Sequence, residues 1–496
     1  MRVITKIKGI LKIQSSLFII LAFILLLPIS ISIIHNESSM MYQTYLISSG
    51  ISFIIGLTLR LMTRDTHIKI TLTTSMIICA MAWLSISLIG SIPFMIGLEK
   101  GFIDSFFESV SGFTTTGITV FQGLDTMPLS IIFWRALIQW VGGLGILTFF
   151  LFVTFSGEGD IWQLFSAEGH KINSSRPVPN VFETVKILWF IYATLTIIEF
   201  ILLKFLGLSL FDALTHSMTS LSTGGFSGYD ASIGYFSENG YENYKAIEYV
   251  ITLFMLFGGM NFLIHYKVIF DTPKYLIEDL ETKNYFKIIL GFTSLMIISM
   301  FMIQSNIFSN FEEIFRKTIF QVVSVITTTG FGTQDIGSNF FPALSKQLFL
   351  ILMVIGGSVG STSGGVKVIR ITILSKLFRR EIRKIRLPNK AVLPVVLSGS
   401  KISEDEVYRV SGLFFGWLLI VFIGSGITAL FSDLDAFQSI SGMASAMGNI
   451  GPFYFSVEKM ASLSPIIKLT YAFGMLAGRL EILPLLVLVS KKAWME

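Results

Sequence analysis

The stretch QVVSVITTTGFG, residues Gln321 to Gly332, is a short apolar run that stops in Thr327, Thr328, Thr329 and Gly330. It is too brief to cross a bilayer, which takes about 20 apolar residues. Related stretches stand elsewhere: SVSGFTTTG from Ser109, TSLSTG from Thr219 and SAMGNIG from Ser445. Their glycines, Gly117, Gly224, Gly330 and Gly451, are spaced 107, 106 and 121 residues apart. The chain is therefore organised as a fourfold internal repeat.

Composition sets the class. Of 496 residues, 52% are hydrophobic and 14% charged, with a mean hydropathy of +0.73, outside the range of soluble proteins. The single cysteine, Cys79, excludes an internal disulfide, and the five histidines are too scattered for a metal box. A net charge of +5 is read as the basic excess of cytoplasmic loops rather than a nucleic-acid surface.

Ten stretches approach the length of a span: Ser16–Ile34, Tyr45–Leu59, Leu72–Ile96, Ala136–Phe155, Ile187–Leu203, Val250–Ile264, Ile288–Ile303, Leu348–Val366, Val410–Leu430 and Ile466–Val489. Ser16–Ile34 is long and lacks a small-residue cleavage site, so it reads as the first span rather than a signal. From the third span on, each pair encloses a shorter segment: Phe106–Phe113, Phe211–Leu221, Ile314–Ile326 and Phe437–Met447. These should dip into the membrane and return.

Basic residues flank one set of ends: Arg2, Lys6, Lys8 and Lys12, then Arg60, Arg64 and Lys69, then Lys376 to Lys401, and finally Lys491 and Lys492. These ends are taken as cytoplasmic, which puts both termini there. His35 to Thr44 carries no Lys or Arg and faces outward, while the balanced Ser156–Thr184 loop adds little. The expected fold is an all-α polytopic membrane protein. Residues 1–70 form two peripheral N-terminal transmembrane helices, and four parallel helix–pore-helix–helix repeats, at 71–155, 182–270, 285–377 and 405–492, surround a central ion pore.

Extended Gly-rich backbone inside a bilayer is tolerable only where its carbonyls face protein, water or an ion. A ring of such carbonyls can replace a cation's hydration shell, and short helices ending there add the negative ends of their dipoles. A lone TTTG reads equally as a turn; four copies at similar offsets argue against that. The second span of repeat three is broken by Gly356, Gly357, Gly360, Gly364 and Gly365. That pattern fits either an intramembrane loop or a close-packing seam between helices. Lys367 follows it, free to snorkel or to turn inward, and Arg479 interrupts the last span, where a buried cation should face the bundle interior. Glu108, Asp104 and Asp212 lie near the dips, as cation attractors or as caps and packing.

Longer matches carry a family resemblance: WRALIQWVGGLGI from Trp134, HSMTSLSTGGFS from His216, FGGMNFLIHY from Phe257, FQVVSVITTTGFGTQD from Phe320, IGGSVGSTSGGVKVIR from Ile355 and AGRLEILPLLVL from Ala477. Over essentially its whole length the chain resembles the TrkH potassium-uptake subunits of the Trk/Ktr/HKT superfamily. The resemblance implies K⁺ as the transported ion, no organic cofactor, and a filter of carbonyls at Thr115, Thr116, Ser222, Thr223, Thr328, Thr329, Asn449 and Ile450. Gly117, Gly224, Gly330 and Gly451 complete it. In the plant HKT branch Ser at the first of these glycines goes with Na⁺ preference, so Gly117 favours K⁺. GNIG in repeat four could be registered on Gly448, but Gly451 aligns it with TTTG.

The resemblance also implies a gate made by Gly356, Gly357, Gly360, Gly364, Gly365, Lys367 and Arg479, the bacterial inner membrane as location, a homodimer in lipid, and a cytosolic nucleotide-binding regulatory subunit of the TrkA type. The basic Lys376–Lys401 loop is a docking surface for that partner or for anionic lipid. Two rivals remain: a Na⁺-permeable relative, discriminated by Rb⁺ against Na⁺ flux, and a membrane-embedded enzyme, which would need a cluster of His, Cys or carboxylates.

Overall fold

Small residues bring the first two crossing elements together. The computed structural model describes residues 2–66, 71–145, 148, 181–302, 310–388, 393–397 and 399–495. Within it, Val3–Ile34 runs as one crossing along the helix Ser39–Met62. Ser48, Ser52 and Gly56 recur every fourth residue on the buried face. Lipid is as apolar as leucine, so such helices associate through close backbone approach and hydrogen bonds. Here Ser52 Oγ donates to Phe18 O at 2.7 Å and Ser49 Oγ to Ala22 O at 2.8 Å. This pair covers repeat one: the span Leu72–Gly97 is 72% buried over its apolar window, against 28% for Glu404–Phe431 in repeat four.

Each repeat then follows one plan. An outer crossing helix, Leu72–Gly97, Glu183–Phe205, Leu280–Phe301 or Glu404–Phe431, leads into a short pore helix. The pore helices are Phe102–Phe113, Leu210–Leu221, Phe311–Ile326 and Ala436–Gly448. Their starts are capped or acidic, as the helix dipole favours. Ser209 Oγ accepts from Asp212 N at 2.9 Å, Asp435 and Gln438 form a capping box, and Asp104 and Glu312 sit in first turns. The inner helices follow: Leu129–Gly143, Tyr244–Gly258, Ala343–Val354 and Pro465–Arg479.

These inner helices depart from the sequence expectation of continuous spans broken only in repeat three. Tyr244–Gly258 and Phe262–Phe270 meet at 100°, and Pro465–Arg479 and Leu483–Val489 at 116°. In repeat one the helix ends at Gly143, and 149–155 lie outside the described residues. The cause is common to three repeats. A side chain at Gly142, Gly258 or Gly478 would run into the carbonyl oxygen of Phe113, Leu221 or Met447, the last turn of that repeat's own pore helix. Close approach demands glycine, and the chain bends there.

The Lys376–Lys401 segment, expected as a loop, begins as the last turns of the helix Val368–Lys384 and ends in a two-stranded hairpin, Val396–Leu397 with Ser400–Lys401. Ile373, Val395, Ile402, Val407 and Val410 pack beneath it. Lys69, Lys390 and most of the Ser156–Thr184 loop lie outside the described residues.

Candidate ion pathway

After each pore helix the backbone makes the same turn. A left-handed residue is followed two positions later by a glycine of positive φ: Thr115 (53°) and Gly117 (80°), Thr223 (52°) and Gly225 (76°), Thr328 (57°) and Gly330 (88°), Asn449 (54°) and Gly451 (110°). The N–H groups turn back to the helix in matching pairs. Thr115 N and Thr116 N donate to Gly112 O and Ser111 O, Thr223 N and Gly224 N to Ser220 O and Thr219 O, Thr328 N and Thr329 N to Val325 O and Ser324 O, and Asn449 N and Ile450 N to Ala446 O and Ser445 O. With the donors spent on the helix end, the carbonyls are what each strand has left to present.

This geometry corrects one register. Sequence reading placed Ser222, Thr223 and Gly224 as the equivalent of Thr115, Thr116 and Gly117. Ser222 is instead the helix cap, equivalent to Thr114 and Thr327, and Gly225 is the ring glycine. The paired glycines hid this; the Gly-Phe dipeptide shared by Gly225-Phe226 and Gly330-Phe331 carries the correct alignment. In repeat four the turn falls on Asn449 and Gly451, not on Gly448.

The four strands close on one another. A side chain on Gly117 would meet Gly224 O, one on Gly225 would meet Thr329 O, one on Gly330 would meet Ile450 O, and one on Gly451 would stand 3.1 Å from Thr116 O. Every ring glycine thus abuts the carbonyl preceding the next repeat's ring glycine, and the fourth returns to the first. Hydroxyl chains back two strands: Thr116 with Thr114, and Thr329 with Thr327, each at 2.7 Å. Asn449 Nδ2 donates to Thr116 Oγ1 at 2.9 Å and Met475 O at 2.8 Å.

Outside the ring lies a cavity of about 490 Å³ lined by Gly117, Gly225, Gly330 and Gly451 with Asp230, Glu238 and Asp335. Arg135 also lines it, but its charge is held by the structure. Nε donates to Glu108 Oε1 at 2.9 Å, Nη1 to Ser227 O at 2.8 Å, and the guanidinium lies 4.0 Å over the Phe226 ring. Glu108 also accepts from Thr119 Oγ1 at 2.9 Å and Val120 N at 3.1 Å. Breaking such a buried pair costs about 3–5 kcal/mol, so Arg135 ties the strands leaving the glycine ring in repeats one and two. Sequence reading passed over Arg135. Glu108, Asp104 and Asp212 act as ties: Asp104 pairs with Lys468 Nζ at 2.6 Å, and Asp212 accepts from Tyr229 Oη at 2.9 Å. Burial, and then the Asp212 carboxylate, push the Tyr229 phenol well above its usual range, so it stays a donor.

On the other side of the ring, among the described residues, lies a cavity of about 40 Å³ lined by Trp83, Gly360, Ser363, Lys367, Arg479 and neighbours. The occupant is the segment 355–367, closed at its neck by Gly356 N to Val366 O at 2.9 Å and Val366 N to Val354 O at 3.0 Å. It bonds to three repeats. Ser358 N donates to Gly259 O at 2.9 Å and Thr362 Oγ1 to Gly258 O at 3.0 Å in repeat two. Gly364 N donates to Thr328 Oγ1 at 2.7 Å, Thr223 Oγ1 bonds Thr362 Oγ1 at 3.1 Å, and Arg479 Nη1 donates to Thr362 O at 2.7 Å.

The glycines of this segment fit by having no side chain: one on Gly356 would strike Gly364 O, and one on Gly364 would strike Gly448 O. Gly360 and Gly365 have φ of 74° and 64°. Gly357 lies against Gly259 O. Lys367 turns inward, its Nζ donating to the carbonyl and hydroxyl of Ser363. Glu281, which sequence reading did not single out, staples the segment: its Oε1 accepts from Val359 N at 3.0 Å and Ile369 N at 3.1 Å.

Arg479 occupies the place that Gly143 and Gly259 hold in repeats one and two. Its Nη1 donates to Thr115 Oγ1 at 3.0 Å, its Nη2 to Gly142 O and Gly143 O at 2.6 Å each, and its guanidinium lies 5.5 Å over Trp83. It sits beneath the ring while fastening repeat four to repeat one. Glu481 faces elsewhere, pairing with Arg370 at 2.7 Å.

The sequence profile of the TrkH family, described as a cation transport protein, matches residues 41–495. The chain is similar to the Trk system potassium uptake protein TrkH of Escherichia coli (strain K12), at 35% identity over 428 residues, covering 85% of this chain and 86% of that relative. It is 30% identical over 492 residues to the TrkH protein of Halomonas elongata, covering 98% of each. A crystal structure of the potassium transporter TrkH from Vibrio parahaemolyticus superposes with a TM-score of 0.85 at 29% identity, covering 98% of this chain and 99% of that one. The chain belongs to the TrkH family of cation transporters.

Proposed function

We propose that this chain takes up K⁺ across the bacterial inner membrane, both termini lying in the cytoplasm. A dehydrated ion passes in single file through the ring of Thr116, Gly224, Thr329 and Ile450 carbonyls, beneath the glycines 117, 225, 330 and 451. The observation that carries the reading is the closed circuit in which each ring glycine abuts the next repeat's carbonyl. Four backbone oxygens held by packed strands can replace hydration water around a cation of one size. The proteins named as potassium transporters among the relatives support K⁺ as cargo.

The segment 355–367, with Lys367 and Arg479, is the gate, and the arrangement described above is its closed form. A cytosolic nucleotide-binding subunit of the TrkA type opens it, docking on a homodimer through the basic face that includes Arg379, Arg383 and Lys384. Ion flux into proteoliposomes tests this, with imposed K⁺, Na⁺ and pH gradients and the partner present or absent. Rb⁺ flux that exceeds Na⁺ flux and rises with the partner is expected. Equal Na⁺ flux would favour the Na⁺-permeable relative, and flux driven by a pH gradient alone would place H⁺ coupling in the mechanism.

A further inference from the structure

Gly224 stands where the other strands carry Thr116, Thr329 and Ile450, so repeat two alone has no side chain behind its ring carbonyl. The space is filled from outside. A side chain built on Gly224 would run into the carboxamide of Gln139, which comes from the inner helix of repeat one. Gln139 Nε2 donates to Gly224 O at 2.6 Å, and Gln139 Oε1 accepts from Phe226 N at 3.0 Å. The two bonds bracket the ring glycine Gly225. Gln139 is fully buried, so both bonds are made away from competing water.

The same helix position, four residues before Gly259, Gly357 and Arg479, is occupied by Met255, Met353 and Met475. All three are buried. Packing alone is thus served by methionine in three repeats, and the amide appears only where the strand lacks its own side chain. We propose that Gln139 is a specificity-determining positioning residue: it sets the Gly224 carbonyl in the ring and so governs discrimination between K⁺ and Na⁺. The proposal rests on the filter reading above. A strand freed of both bonds can shift its carbonyl inward, and a ring that yields accepts a smaller ion.

The test uses the full chain in cells lacking other K⁺ uptake, comparing initial Rb⁺ and Na⁺ uptake normalised to protein in the membrane. Q139M keeps the packing found in the other repeats and should lower the Rb⁺/Na⁺ ratio about tenfold, the effect of losing one or two buried hydrogen bonds. G117S is measured beside it. Should Q139M fail to insert, Q139A against Q139A/G224T decides. The double variant returns a hydroxyl side chain to the strand and should recover most of the ratio lost in Q139A. An unchanged ratio in Q139M, or no recovery in the double variant, while G117S loses selectivity, overturns the role of Gln139 and leaves the filter standing. Unchanged ratios in both Q139M and G117S overturn the filter reading as well.

Discussion

The two sides of the glycine ring differ more than the repeats that build them. On one side, about 490 Å³ opens above Gly117, Gly225, Gly330 and Gly451; on the other, among the described residues, the cavity lined by Lys367 and Arg479 holds about 40 Å³. The outer side follows the fourfold plan, and strands that obey one geometry leave room at their common axis. The inner side is closed where two repeats break the plan. Repeats one and two end their inner helices in paired glycines, Gly142-Gly143 and Gly258-Gly259, whereas repeat four places Arg479 at the second position and repeat three inserts 355–367. Departure from the repeat therefore marks the side of the ring that is filled.

Shortening the inserted segment should break the contrast most. Removing Ser358 to Ser363 takes away its bonds to Gly258, Gly259, Thr223, Arg479 and Glu281. At roughly 1 kcal/mol per bond, the loss of even three of them favours the open form about a hundredfold. Rb⁺ flux into liposomes without the cytosolic partner should rise by that order; folded protein that stays silent until the partner is added removes the gate from this segment.

Next in size is the ring itself. Gly117→Ser puts a side chain against Gly224 O at a residue with φ of 80°. Left-handed strain alone is of order 1–3 kcal/mol, so the Rb⁺/Na⁺ flux ratio should fall about tenfold or more. The register is checked alongside. Gly225→Ala meets the Thr329 backbone carbonyl at a φ of 76°, whereas Gly224→Ala meets the carboxamide of Gln139. On a Q139A background, which leaves room at Gly224, adding Gly225→Ala should lower the ratio much further and adding Gly224→Ala should not; the reverse order would restore the alignment on Gly224.

Arg479→Gln comes third. Like unit charges at about 6 Å and an effective dielectric of about 20 repel by nearly 3 kcal/mol. The carbonyls of Gly142, Gly143 and Thr362 around the guanidinium offset part of that field, so single-channel conductance should rise about tenfold rather than a hundredfold. Because the same bonds tie repeat four to repeat one, thermal stability should fall too. Lower stability with conductance at or below wild type makes Arg479 a tie and no barrier.

The smallest effect is expected at Glu281→Gln. The amide still accepts from Val359 N or Ile369 N, but without a formal charge each bond is roughly half as strong. Partner-independent flux should rise a few-fold, measured in the same liposomes. No rise would separate the staple from gating.

Legibility in the sequence followed the same division. The pore-helix ends at Phe113, Leu221 and Ile326 could be seen because hydroxyls and glycine cut off apolar runs at similar offsets. The bends after Gly258 and Gly478 could not, since one or two glycines hardly alter the hydropathy of a span; only the nearness of Leu221 O and Met447 O makes them necessary. Arg135, Gln139 and Glu281 were missed because their partners Ser227, Phe226 and Ile369 lie 92, 87 and 88 residues away. Arg479 was visible as a charge in an apolar stretch, yet its double part, under the ring and across two repeats, depends on Thr115 and Gly142, which no local pattern joins to it.

The central claim is that four backbone strands form one selective ring. It is tested most directly by the Rb⁺/Na⁺ uptake ratio of proteoliposomes whose protein carries the shortened gate segment throughout, so that conduction is independent of the partner. On that background the otherwise unaltered chain should favour Rb⁺, and Gly117→Ser and Gly225→Ala, at consecutive contacts in the circuit, should each abolish most of the preference. A ratio near one before either substitution, or a ratio that survives both, would contradict the account.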